Sequence, residues 1–487
     1  MLFHTWVFVA FFAVVYALYL PLRRTRWRSL WLLAASYFFY GAWSPAYLLL
    51  IAFTTVQDYL AVTMMSRSRR RGMWLAISIV NNLVLLGFFK YAGFLTDSLN
   101  DLLAWVEIAW RCPPPGALLN VLAGLLNAAL AGAGLDWRVG ISGARVVLPV
   151  GISFFIFQSM SYTIDYYRGL VDRERSLIRY AAFVSLFPQL VAGPIERARN
   201  LLGQLHEPRP VTRQHVTDGL SMFLVGLFKK VAIADYLALY VDKVYAQPGA
   251  FDAPALLLAT FAFGWQIYCD FSGYTDMARG VARMMGYDLM LNFNNPYLAD
   301  SLRDFWSRWH ISLSTWFRDY VYIPLGGNRK GEANTYRNMF LTMVISGLWH
   351  GAAWTFIIWG AVHAFGRVLT RELERTTFYS KRVPRIVKQL LVFVIVTLAW
   401  VFFRAGSLAD ARLIFKRIAA FELSDPRFPL LALALCLGLW AYQFLYESRL
   451  RRVLEWPPVK IALAVGMILY LVFVPTASKQ AFIYFQF

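Results

Sequence analysis

Two histidines stand where an ionisable side chain is hard to explain by folding alone. His350 lies in the apolar run SGLWHGAAWTFIIWGAVH (346–363). An ionisable residue at membrane depth is a functional candidate by default. An imidazole near neutrality in a mostly dry site can take the proton from an attacking hydroxyl, which is general-base catalysis. Gly347 and Gly351 flank it at a GxxxG spacing, which lets a second helix or a ligand approach the backbone closely. The structural alternative is a packing motif with a hydrogen-bonded core histidine. Read as one helix, the run puts His363 about 220° around from His350. His363 is therefore expected to lie outside the same site.

His310 lies in SLRDFWSRWHISLSTWFRDYVYIPLGGNR (301–329). Arg303, Asp304, Arg308, Arg318 and Asp319 make an ordinary lipid-facing span too costly. As a helix, the stretch pairs Asp304 with Arg308 at i, i+4 and stacks Trp306, His310 and Ser314 on one face. Phe305, Trp306, Trp309, Trp316 and Phe317 surround the single histidine. That pattern predicts an interfacial or steeply inclined helix, with tryptophans at headgroup level and His310 turned into protein. The alternative is an amphipathic anchor whose histidine satisfies a backbone carbonyl.

Other polar positions inside apolar runs are Gln158, Asp165 and the carboxylates of the stretch 266–276, Asp270 and Asp276. Each of these last two would orient an imidazole or pair with an arginine. GxSxG elbows, Walker loops and Rossmann glycine fingerprints are missing from the chain. Neither the three cysteines nor the six histidines form a metal-ligand cluster or a disulfide framework. No metal and no bound cofactor are expected.

The elements that must hold these residues are membrane helices. Of the 487 residues, 59% are hydrophobic and only 16% charged, against roughly 45–50% and 25% in soluble domains. The net charge of +20 does not point to nucleic acid, which needs a basic soluble face. The basic residues sit in short clusters between apolar runs, notably Arg23–Arg28 and Arg67–Arg71. Positive-inside bias distributes them in this way, and anionic lipid headgroups favour it too. The run 2–22 is expected to stay as a first helix with its N-terminus outside. A break at 41–45 returns the next stretch to the same side, bringing both arginine clusters together. The segment 187–194, with two prolines and a glycine, reads as a re-entrant or cavity-lining element, since irregular backbone at membrane depth must be buried or line a wet cavity. The whole chain, 1–487, is read as one membrane domain of nine to twelve spans, with an additional helix within 116–145.

Several segments together resemble the bacterial branch of the membrane-bound O-acyltransferases. They are LPVGISFFIFQSMSYTIDYYRG (148–169), FPQLVAGPIER (187–197), GLFKKVAIAD (226–235), YCDFSGYTDMARG (268–280), NFNNPYLADSLRDFWSRWHISLSTWFRDYVYIPLGG (292–327), SGLWHGAAWTFIIWGAVHA (346–364) and FIYFQF (482–487). They run in order from residue 148 to the end, and 116–145 matches least. The resemblance implies an all-α ring of tilted helices with re-entrant and interfacial pieces, thinned around a central tunnel. His350 would be catalytic and His310 would share its site. Trp306, Trp309, Ser314, Trp349, Asp270 and Gln158 are expected to line the tunnel. The donor would be acetyl-CoA or another acyl thioester, including an acyl carrier, entering from the cytoplasm. The acceptor would be an exported polysaccharide such as alginate, reached with a periplasmic or extracellular acetyl-transfer partner. Peptidoglycan, teichoic acid or a lipid are the alternative acceptors. A transporter or flippase would explain the buried charges, but the two halves carry no inverted repeat and WHG would have no role. The localisation implied is the inner membrane, crossed many times.

Overall fold

The computed structural model describes residues 1–117, 148–474 and 482–483, with isolated positions between 120 and 128. The extra helix expected within 116–145 and the last four residues of FIYFQF lie outside the described residues. Among the described residues every regular element is helical. One continuous buried cluster runs from Phe3 to Ile483.

Local chemistry sets many of the boundaries. The Thr5 hydroxyl accepts from the Phe8 N–H and opens the helix Trp6–Leu22, satisfying a donor that the first turn would otherwise leave unpaired. Arg28–Gly41 and Pro45–Arg67 are separate helices, with Pro45 in the first turn, where its missing N–H costs nothing. The break expected at 41–45 is therefore present. Phe187–Leu190 is a single short turn, buried along with the residues that follow it to Arg197. Its irregular backbone is enclosed in protein.

Among the described residues three helices are long and apolar enough to cross a membrane: Pro45–Arg67, Arg71–Trp105 and Arg385–Arg404. Trp6–Leu22, Leu430–Tyr446 and Pro457–Phe473 are apolar but shorter. Several of the apolar segments are thus too short or too interrupted to be simple spans, as their sequences suggest. The longest uninterrupted α-helix among the described residues, Ala253–Met284, carries Asp270, Asp276, Arg279 and Arg283 along its length, so it is long but not apolar throughout.

Ala253–Met284 is nonetheless the centre of the fold, with Trp265, Ile267, Cys269, Phe271, Met277 and Ala278 wholly buried. Its partner is Arg213–Phe228. Gly226 meets Gly273, and Gly219 meets Gly280, at such short range that a Cβ on Gly226 would stand 2.4 Å from the Gly273 carbonyl. Backbones this close gain dispersion contacts that bulkier residues would forbid.

The arginine clusters share one face. Arg28 donates to the Leu205 carbonyl at 2.7 Å, His206 lies 2.8 Å from Glu174, and the Tyr59 hydroxyl donates to the Arg175 carbonyl at 2.5 Å. Arg173 reaches Ser66 at 3.2 Å, and Arg71 lies over the rings of Tyr166 and Tyr167. Arg168 donates to the Asp319 carbonyl at 3.1 Å. Both expected basic clusters, together with 166–175 and the start of 318–322, therefore border one surface. The opposite end of the Ile152–Tyr167 helix lies about 22 Å from it, at 1.5 Å per residue.

Candidate active site

The run 346–363 is not one helix. Glu332–His350 ends at His350, and Trp354–Arg375 begins after a turn. The two helices fold back on each other through glycine: a Cβ on Gly347 would stand 2.2 Å from the Phe356 carbonyl, and one on Gly360 2.4 Å from that of Met343. Gly351 leaves room for the Phe356 ring, which would come within 2.0 Å of a Cβ. The GxxxG spacing thus serves a hairpin, and His350 is placed at its tip.

That turn overturns the angular argument that put His363 elsewhere, because an ideal-helix projection does not cross a turn. The Trp359 ring lies 5.1 Å from the His350 ring and 4.7 Å from that of His363, so a single indole separates the two histidines. Neither ring nitrogen of His363 has a hydrogen-bond partner among the described residues.

The stretch 301–329 is broken as well. Leu302–Arg308 and Ile311–Phe317 are two short helices, and His310 between them has φ 41° and ψ 55°. A non-glycine residue in the left-handed region costs free energy and persists where its surroundings over-determine it. Here Asn292 does so. Its carbonyl accepts from the Ile311 N–H at 2.9 Å, and its side-chain oxygen accepts from the Ser312 N–H and hydroxyl at 3.2 and 2.9 Å. The break aims His310 inward, which a continuous helical face of Trp306, His310 and Ser314 would not. The Asp304–Arg308 pair is present at 2.8 Å, with Glu447 joining it from the far side of Arg308.

The two breaks bring the histidines together. Their ring centroids lie 6.4 Å apart, and exposure is 1% for His310 and 2% for His350. Trp349 touches both, at 5.9 and 5.0 Å. Phe271 closes on His310 at 4.6 Å, and Phe403 on His350 at 5.3 Å. Walls of this kind exclude water and strengthen any electrostatic interaction inside them.

The other expected site residues divide. Trp306 and Ser314 line a cavity of about 540 Å³, together with Ser346, one turn before His350. Trp349 lines a second cavity of about 50 Å³, which His350 also faces. Trp309 is wholly buried and packs on Phe293, Phe305 and Trp400, behind His310. Gln158 donates to the Phe183 carbonyl at 2.6 Å, on the side of its helix toward the proline-broken segment. Asp270 is 2.7 Å from Lys230 and accepts from the Ile483 N–H. Its partner is therefore a lysine, while its neighbour Phe271 contacts His310. Asp276 pairs with Lys229 at 2.8 Å.

Several groups near these cavities are absent from the sequence candidates. Arg303, Arg318, Arg367 and Arg371 line the larger cavity, and Arg318 adjoins Asp319 on the arginine-rich face. Of these four arginines, only Arg318 and Arg367 have a carboxylate within 4 Å among the described residues. The larger cavity therefore presents uncompensated positive charge, suited to a ligand rich in phosphate. Lys90 and Tyr91 sit at the middle of the 35-residue Arg71–Trp105 helix and bond the carbonyls of residues 348–350. A lysine within an apolar span was a signal available in the sequence, as was the NFNNP context of Asn292.

Comparison with known proteins agrees with this architecture. The profile of the MBOAT, membrane-bound O-acyltransferase family, matches residues 148–408, the stretch that holds both histidines. The chain is 41% identical to a probable alginate O-acetylase of Pseudomonas putida, over 86% of this chain and 81% of that one. It is 34% identical to a peptidoglycan O-acetyltransferase of Helicobacter pylori, over 80% and 73%. A teichoic acid D-alanyltransferase of Bacillus subtilis is 31% identical over 44% of this chain and 57% of its own. An apolar helical scaffold, two convergent histidines and a match across more than half of the chain lead to one conclusion: the chain belongs to the membrane-bound O-acyltransferase family and is an acyltransferase.

Proposed function

We propose that this acyltransferase takes an acetyl group from a cytoplasmic thioester, acetyl-CoA or an acyl carrier, and delivers it for O-acetylation of an exported polysaccharide such as alginate. The observation that carries the reading is the position of His350, which lines the small cavity and follows by one helical turn a residue that walls the large one. One turn before it, Ser346 walls the arginine-lined cavity beside the arginine-rich face, and His350 itself lines the small cavity with Trp349 and Lys90. Donor and acceptor can then meet at one imidazole from opposite sides of an inner membrane that the chain crosses many times, arginine-rich face inward.

His350 acts as general base on the acceptor hydroxyl. As its oxygen bonds to the acyl carbon, the carbonyl electron pair moves onto oxygen and the proton passes to His350. On collapse the C–S bond breaks and the departing sulfur takes that proton. A thioester is already activated, so the protein supplies positioning, a base and exclusion of water. His310 shapes the same aromatic chamber and steadies the polar atoms of the reacting groups. The cavity that His350 lines is the smaller of the two, about 50 Å³ against about 540 Å³, which favours acetyl over longer acyl chains.

The similarity to relatives named for alginate acetylation covers more of both chains than the similarity to the peptidoglycan enzyme, and this sets the order of the two acceptors. A periplasmic acetyl-transfer protein completes the delivery. The test is transfer from labelled acetyl-CoA in membranes, comparing wild type with His350→Ala and His310→Ala at equal protein level. Loss of label from extracellular polymer in His350→Ala is expected. Unchanged labelling would refute the assignment, and label appearing on peptidoglycan instead would replace the acceptor.

A further inference from the structure

Lys90 occupies a position that neither helix packing nor lipid contact explains by itself. It sits in a π-type turn, Gly87–Tyr91, about midway along the Arg71–Trp105 helix. Its ammonium donates to the carbonyls of Trp349 and His350, the latter at 3.2 Å, and lies 5.5 Å from the centre of the Trp349 ring. Tyr91 donates to the Leu348 carbonyl at 3.0 Å. Together they satisfy the last carbonyls of the helix that presents His350, where the helix dipole is negative and a cation is favoured.

Capping accounts for two of the ammonium's three hydrogens. The same side chain also lines the small cavity, opposite Gly151, Ile152 and Ser153 and beside His350. Those three residues open the Ile152–Tyr167 helix, with Gly151 at φ 75°, so the cavity faces the positive end of a second dipole. A half-buried cation and a helix N-terminus therefore converge on the small cavity that His350 lines. A neutral thioester carbonyl is polarised by such a field but gains little free energy from it. The oxyanion formed when the hydroxyl adds to the thioester carbon gains a great deal, because preorganised donors in a dry site act on charge that develops only there.

We infer that Lys90 is a catalytic residue of this acyl transfer, donating its third ammonium hydrogen to the carbonyl oxygen of the thioester as that oxygen becomes negative. The inference rests on the acyl-transfer reading above. Bond changes are those already given; Lys90 keeps its own proton throughout and supplies only the hydrogen bond. Its grip on the carbonyls of residues 349 and 350 fixes the ammonium relative to His350, so base and oxyanion donor move as one unit.

The test uses the full-length protein in detergent or membranes, with acetyl-CoA as the probe. Lys90→Met removes the donor while keeping the length of the chain. The expected result is a kcat lower by about 10²–10³-fold, with KM for acetyl-CoA within about threefold of wild type, since the hydrogen bond is weak to the neutral carbonyl and strengthens as the oxyanion forms. A kcat within about threefold of wild type in folded Lys90→Met would overturn the inference, as would a loss confined to KM. A second measurement needs no Lys90 variant. In His350→Ala, which binds donor without turnover, the infrared carbonyl band of [1-¹³C]acetyl-CoA is expected to move to lower wavenumber on binding. An unmoved band would overturn the inference even if Lys90→Met failed to fold. Absence of His350-dependent transfer in the wild type would instead sink the acyl-transfer reading itself, so the two failures are distinguishable.

Discussion

The rings of His310 and His350 lie 6.4 Å apart, although each belongs to a different broken helix and forty residues separate them in sequence. Trp349 fills the angle between them, and Phe154, Phe271 and Phe403 close the remaining sides. The contact depends on two interruptions of helix, the left-handed backbone at His310 and the turn after His350. Changes that restore regular helix at either place should separate the rings.

Asn292 is the first such place. Asn292→Ala removes the acceptor used by the Ser312 N–H and hydroxyl, both buried. Leaving those donors unpaired should cost about 1–3 kcal/mol each, and acetyl transfer should fall at least tenfold as His310 loses its aim. Thermal unfolding in detergent and turnover with acetyl-CoA measure the two effects; full activity would show that the break holds without it.

The hairpin at Gly347 gives a steric prediction. Gly347→Val places a branched side chain where even a Cβ lies 2.2 Å from the Phe356 carbonyl. Overpacking of this order costs about 1–3 kcal/mol, and the helices must part. We expect a lower melting temperature and a loss of transfer comparable to that of His350→Ala, whereas Gly438→Ala, which meets no atom within 4 Å, should be neutral.

Charge in the larger cavity predicts a split between binding and chemistry. Arg303→Gln and Arg371→Gln should each raise KM for acetyl-CoA, by roughly tenfold for about 1.4 kcal/mol of lost phosphate contact, while kcat stays near wild type. Arg371 lies 5.2 Å from the Tyr336 ring and has no acidic partner among the described ion pairs, so its removal leaves no carboxylate stranded. Steady-state kinetics decides; an unchanged KM would place the donor elsewhere.

The Lys230 site predicts a stability effect away from the reaction. Its ammonium lies 2.7 Å from both Asp235 and Asp270 and is 1% exposed. Lys230→Met strands two carboxylates and should cost about 3–5 kcal/mol. Adding Asp235→Asn and Asp270→Asn should return part of it, and unfolding midpoints of the three variants measure this.

Asp58 makes the converse case, a buried carboxylate held by neutral donors. Ser78 donates to it at 2.7 Å, Asn82 at 3.0 Å, and Ser159 also donates. Asp58→Ala leaves three polar groups in the core without their acceptor and should destabilise more than Asp58→Asn, by a few kcal/mol in all. Equal melting temperatures for the two variants would show that the donors find other partners.

Much of this protein is legible in its linear pattern. Apolar runs set against arginine clusters mark a membrane protein with one basic face, because hydrocarbon thickness and lipid charge act on composition alone. The same physics singles out His310 and His350, since an imidazole in an apolar run must be satisfied or used. The i, i+4 pair Asp304–Arg308 and the break at 41–45 are local features and are readable for that reason. What the linear pattern does not carry is the bending of its own helices. Periodicity assumes a continuous helix, so it stacks Trp306, His310 and Ser314 on one face and sends His363 away from His350. Tertiary contacts to Asn292 and Phe356 interrupt both helices and reverse the geometry. Asp270 and Gln158 are taken up by a lysine and a carbonyl from neighbours distant in sequence. Lys90 gains its place beside His350 only because a π-type turn meets the end of a helix 260 residues further on. Sequence by itself determined the solvent of this protein and singled out its candidate reactive groups, through the cost of polar atoms in lipid. Only the tertiary structure decided which of those groups share a chamber, because close approach of chain segments depends on packing rather than on spacing.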